Sequence, residues 1–177
     1  MILPRIRDSR FITIRRGGTL TDTDHHVLAL WAARCSEHVL HYFENERTGD
    51  NRPRKAIEST RAWASGEITV TEAKKAAFDA NAAARDVVGA ARLSAARLAA
   101  LSAGQAAAVA HVAAHELGAA AYAIRAVLAA SEGGNKTENG RKECAWQHDQ
   151  LPVEIKELVL DDQKNRNDIC WNVFLVE

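Results

Sequence analysis

Proline is scarce in this chain: Pro4, Pro53 and Pro152 are the only three in 177 residues. Nothing therefore forces a helix break over the long stretch between Pro53 and Pro152. Cysteine is equally sparse. Cys35, Cys144 and Cys170 lie far apart, form no C-x-x-C pair and are odd in number, which argues against a disulfide framework and for reduced thiols. A surplus of either charge is also missing, since 23 Lys and Arg balance 23 Asp and Glu. A dedicated nucleic-acid binder normally carries a basic excess, so nucleic acid is not the expected partner. No uncharged apolar run approaches the roughly 18 residues of a membrane span, and the first residues lack the apolar core of a signal peptide. The expectation is a cytoplasmic protein without a membrane partner.

What is present is alanine. Nearly half of residues 73–130 are alanine, the strongest helix former. A single helix of that length is unusual in a compact domain, so breaks are expected near Gly89 and again between Gly104 and Gly118. Thr21 opens T-D-T-D, a hydroxyl followed by acids that suit a helix start. Val27, Leu30, Trp31, Cys35, Val39, Tyr42 and Phe43 continue it as one apolar stripe to about Asn45. Pro53 suits the first turn of a second helix, which Gly66 ends. Thr69 and Glu72 form a capping box that starts a third near Val70.

Residues 131–140 read as a flexible loop of Ser, Gly and Asn. The part beyond is too short for its own core and should dock as helices starting near Arg141 and Pro152. Phe11 and Thr13 alternating with Ile12 and Ile14 give the only strand-like pattern, within an extended N-terminal arm, residues 1–20. The fold class expected is all-α: one domain spanning 1–177, a compact bundle of about six or seven helices with alanine-rich central members and mostly buried tryptophans.

Chemistry-bearing residues are few. His111 and His115 stand four apart on an expected helix, a spacing that lets two imidazoles meet one metal. Glu116 follows the second histidine rather than the first, so H-E-x-x-H is absent. With Asp161 or Asp162 as a further ligand, these histidines define the alternative reading, a metal-dependent hydrolase. Cys35, His38 and His41 drift around their helix at three-residue steps, which favours packing for the cysteine and solvent for a histidine. Asp161, Asp162, Arg166, Asn167 and Asp168 form the densest polar group, in which Asp162 and Arg166 have the spacing of a helical ion pair. Arg85, Arg92 and Arg97 suggest a weaker alternative, a nucleic-acid accessory protein, but acids stand nearby and no aromatics interleave. Gly133-Gly134-Asn135-Lys136-Thr137 lacks the glycine before lysine of a phosphate loop, and no G-x-S-x-G elbow occurs. No catalytic residue and no cofactor follow from the residues themselves.

Several longer stretches taken together carry a family likeness. They are R-F-I-T-I-R-R-G-G-T-L-T-D from Arg10, L-A-L-W-A-A-R-C-S-E-H-V-L from Leu28 and R-P-R-K-A-I-E from Arg52. Further on come A-H-V-A-A-H-E-L-G-A-A-A-Y-A-I-R-A from Ala110 and L-P-V-E-I-K-E-L-V-L-D-D-Q-K-N-R-N-D-I-C-W from Leu151. Over about residues 10–171 the chain resembles the Imm-5-like immunity proteins, small helical bacterial proteins held to protect cells against toxins of polymorphic toxin systems. The resemblance implies a non-enzymatic protein whose partner is a cognate toxin. It singles out no contacting residue, and a homo-oligomer is compatible with it.

Overall fold

A computed structural model describes residues 2–87 and 94–175. Among these the chain is all-α, with seven helices of 13 to 18 residues and one of six. Helix α1 (Asp22–Val39) starts where Thr21 accepts a hydrogen bond from the Asp24 amide at 3.0 Å. The run expected to reach Asn45 is broken once. At Leu40 the backbone tightens to three-residue bonds, from the Leu40 amide to the Glu37 carbonyl and from the Phe43 amide to the Leu40 carbonyl. The short α2 (His41–Glu46) follows.

Helix α3 (Arg52–Ala64) has Pro53 in its first turn and is followed by Gly66 at φ +79°, a left-handed turn that glycine adopts without steric cost. Helix α4 (Val70–Arg85) has both halves of its capping box. The Glu72 amide donates to the Thr69 hydroxyl at 3.3 Å, and the Thr69 amide donates to the Glu72 carboxylate at 2.7 Å. Helix α5 (Ala95–Ala108) is capped by Ser94. Gly89, the expected break, lies outside the described residues.

The second break falls at residues 109–112, after which a 3-10 turn (Ala113–His115) leads into α6 (Glu116–Ala130). Helix α7 (Lys136–Asp149) and α8 (Val153–Arg166) complete the bundle. The stretch 131–140 differs from its expected loop. It holds a 3-10 turn (Gly133–Asn135) and then the first turn of α7, which begins five residues before Arg141. Gly140 lies within α7, where an added Cβ would stand 2.6 Å from the Leu128 side chain.

The N-terminal segment is not an extended arm either. Two 3-10 turns (Ser9–Phe11 and Ile14–Arg16) replace the expected strand, and a single bridge joins Thr13 to Leu20. One bridge offers no second partner along which a sheet could grow. Instead Ile2, Phe11 and Leu20 are buried in the core.

Helix α5 is central and packs on α1, α2, α3, α4 and α6. Its alanines let backbones approach closely, and Ala99, Ala100, Ala103, Ala106 and Ala107 are all fully buried. Three helices are also joined by polar bonds: the hydroxyls of Ser36 and Ser102 lie 2.8 Å apart, and Ser102 donates to the Ala119 carbonyl at 2.7 Å. Trp31, Trp63 and Trp146 are wholly or partly buried, whereas Trp171 is exposed under the Arg125 guanidinium. Among the described residues no helix is long and apolar enough to cross a membrane.

Candidate functional site

At the break between α5 and α6 a freed backbone carbonyl is satisfied from α1. In an unbroken helix the Val109 carbonyl would accept from the amide four residues on. Here the ring Nε2 of His25 lies 2.7 Å from that oxygen and donates to it. Burial, the largest influence, holds His25 below the usual histidine pKa, so the ring is neutral with its proton on Nε2. His25 and His26 both stand edge-on to Trp63, at 4.8 Å between ring centroids.

A cleft of about 420 Å³ opens beside this group. Arg7, Arg15 and Arg16 of the N-terminal segment line one side, and His111 and Val112 of the break line another. Trp63 and Val70, from the end of α3 and the start of α4, complete its wall.

His111 and His115 are therefore not on one helix, as their spacing led one to expect. His111 lies in the turn after α5, and His115 ends the 3-10 turn before α6. They remain neighbours, with ring centroids 5.2 Å apart. His115 Nδ1 lies 2.7 Å from the Gln105 side-chain oxygen, while Nδ1 of His111 is buried with no hydrogen-bond partner among the described residues. Burial lowers both pKa values, that of His115 to about 4, with the nearby positive charges of Arg7 adding to the effect. Neutral imidazoles suit a metal, but the carboxylates are engaged elsewhere. Asp161 accepts from Arg10 at 2.6 Å, and Asp162 is bound by Arg166. Among the described residues no group of three or more His, Cys, Asp or Glu side chains gathers as metal ligands.

The Asp162–Arg166 pair forms as its spacing suggested, but inside the protein rather than on a solvated face. Arg166 is 4% exposed. Its Nε lies 2.7 Å from Asp162, its second nitrogen 3.1 Å from Glu116, and its third donates to the carbonyls of Ala114 (2.9 Å) and Ile2 (3.3 Å). One guanidinium thus ties the N-terminal segment, the break, α6 and α8 together. Glu116 is fully buried, and that burial raises its carboxyl well above the ordinary value, with Asp162 reinforcing the rise and Arg166 opposing it. Reasoning from sequence missed Glu116 as a buried charge. A signal was present, since it is the only acidic, lysine or arginine residue between Arg97 and Arg125.

A second groove, of about 670 Å³, runs between α1 and α7. Here His38 Nδ1 lies 2.8 Å from the buried Glu143 carboxylate, and its ring stacks on Trp146 at 3.7 Å. Gln147 donates to the other Glu143 oxygen at 2.9 Å. Cys35 is buried and His41 exposed, so these residues share no site with His38. Lys142 and Glu132 give the groove charges of both signs. Of the three arginines considered for phosphate, Arg85 is exposed and Arg97 half-buried, and Arg92 lies outside the described residues.

The described residues form an all-α bundle with a cleft lined by Arg7, Arg15 and Arg16 and a buried polar cluster around Arg166. Residues 18–154 match the model of the family described as Imm-5 like putative immunity protein, and the chain belongs to that family. The match is shorter at both ends than the likeness over residues 10–171. No curated protein and no solved structure matches.

Proposed function

We propose that the protein is a non-enzymatic bacterial immunity protein that neutralises a cognate toxin by stoichiometric binding in the cytoplasm. Family membership carries this reading. The architecture supports it: an inhibitor needs a rigid surface with a few anchors and complementary charge rather than a reactive centre. The close-packed alanine helices and the Ser36–Ser102–Ala119 bonds supply rigidity. The whole chain acts as one unit in this reading, because the Arg166 cluster joins its two ends to its middle.

The test is co-expression with the toxin encoded beside it. Cells producing the toxin alone should die, cells producing both should grow, and a complex of fixed stoichiometry should survive purification. Death despite co-expression, with no complex recovered for any neighbouring toxin, overturns the proposal.

A further inference from the structure

The surface around the cationic cleft is lopsided in charge. Among the described residues Arg15 pairs with Asp22 at 3.0 Å, whereas Arg7, Arg16 and Lys74 have no carboxylate within ion-pair distance. These three are exposed, and all three lie near enough to His111 for their charges to bear on its ring. Arg7 and Arg16 line the cleft, and Lys74 stands one helical turn beyond cleft-lining Val70; like charges so placed repel one another, and a ligand carrying negative charge relieves that repulsion.

The adjoining side of α4 carries exposed apolar side chains. Val70 lines the cleft and is itself 40% exposed. Lys74 and Phe78 follow Val70 at four-residue steps along α4, so the three share one side of that helix. Phe78 is 60% exposed, with the Lys74 ammonium 5.8 Å from its ring. Large apolar side chains left in water beside unpaired cations are the composition of a protein interface, with apolar anchors and charges that select the partner.

We propose that the cleft and the adjoining Val70–Lys74–Phe78 side of α4 receive an acidic segment of the partner protein. Its carboxylates pair with Arg7, Arg16 and Lys74, and an apolar side chain packs on Val70 and Phe78. The assignment rests on the immunity reading and names the surface through which it operates. Nucleic acid fits the face less well. Successive bases need several exposed aromatic faces to stack on; Phe78 offers one, whereas Trp63 and Phe11 of the cleft wall are buried at 8% and 5% exposure. Phosphate contacts leave the exposed Val70 without a partner.

The probe is a fluorescein-labelled peptide of alternating glutamate and leucine, titrated into the intact protein at low salt. An oligonucleotide of equal charge and inorganic phosphate serve as competitors. The double substitution Arg7→Glu and Arg16→Glu is compared with Arg141→Glu and Lys156→Glu, which changes net charge equally at exposed positions on α7 and α8. Thermal melts confirm that both double variants fold. Saturable binding should weaken by about tenfold or more in the first variant and by less than about twofold in the control, since reversing charges that meet the ligand disrupts pairing whereas distant ones act only through a screened field.

Equal weakening in the two variants overturns the assignment, and so does the absence of saturable binding. More effective displacement by the oligonucleotide or by phosphate overturns it in favour of a phosphate ligand. Co-expression separates the two levels of inference. If the wild-type protein fails to protect, the immunity reading falls whatever the peptide does. If it protects and the Arg7→Glu, Arg16→Glu variant protects equally well, only the surface assignment falls.

Discussion

The buried carboxyl of Glu116 makes a prediction whose sign depends on its protonation. Glu116 is 0% exposed, and burial raises its carboxyl well above 4.5 even with Arg166 at 3.1 Å. Two carboxylates facing one guanidinium leave a buried net negative charge, which a proton on Glu116 removes, with Asp162 as a neighbouring acceptor. The unfolded chain releases that proton near its ordinary value. The stabilising contribution of Glu116 is therefore complete below about pH 4.5 and declines by about 1.4 kcal/mol per pH unit until its folded pKa is passed. Glu116→Gln preserves the shape of the protonated acid, can still donate to Asp162, and does not titrate. Its stability relative to wild type should rise with pH at that slope and then level off. Urea unfolding of both proteins from about pH 5 to about pH 8 reads the difference directly, because other titrating groups cancel. If Glu116 is instead ionised in the fold, the variant loses a charge-assisted bond worth about 1.5–3 kcal/mol. Its deficit would then stay constant over this range, because the carboxyl is ionised in both states, and a flat difference refutes the reasoning.

Two further substitutions probe the packing. Arg166→Met leaves Asp162, Glu116 and two backbone carbonyls without their donor, and breaking a buried pair in this way costs about 3–5 kcal/mol. The melting temperature should fall by about 6–20 °C at 2–4 °C per kcal/mol, and an unchanged value refutes the central role of this side chain. Gly104→Ala places a Cβ 2.7 Å from the Asn81 side-chain oxygen and 3.2 Å from the Ala77 carbonyl, so α4 or Asn81 must give way. Overpacking of about 1–3 kcal/mol should outweigh a helix-propensity gain of about 1 kcal/mol, and a higher melting temperature would show that α4 and α5 separate freely.

Features decided by neighbours in sequence were legible, and features decided by distant side chains were not. The starts of α1 and α4 could be read because Thr21 and Thr69 meet partners three residues away. The start of α7 was misread because Gly140 looks like loop punctuation, whereas it lies within α7 against the Leu128 side chain of α6. The α5–α6 break was bracketed, but His25, which takes the Val109 carbonyl, stands 84 residues earlier. His111 and His115 were consequently placed on a helix that ends before either. The Asp162–Arg166 pair was visible from its spacing, yet its burial follows from Glu116, Ala114 and Ile2, all more than 45 residues away. Of the cleft residues, His111 stood out in the sequence as a candidate metal ligand. The arginines that join it come from a segment whose 3-10 turns its alternating pattern did not suggest.

The alanine-rich centre and the recognition surface place separate demands on the chain. Ten of the 14 residues of α5 are buried and the rest half-buried, so its composition answers chiefly to packing. Each alanine brings two backbones together but contributes little apolar area, and the larger contacts fall to residues such as Leu98, Leu117 and Ile124. Recognition is left to the periphery, where α4 turns Val70, Lys74 and Phe78 outward while burying Ala73, Ala77 and Ala80 against its neighbours. Because the two sets alternate on a single helix, charge or apolar character can change on the outer side without altering the inner contacts. A rigid bundle of this kind can keep one core while its outward residues are retuned to a different partner.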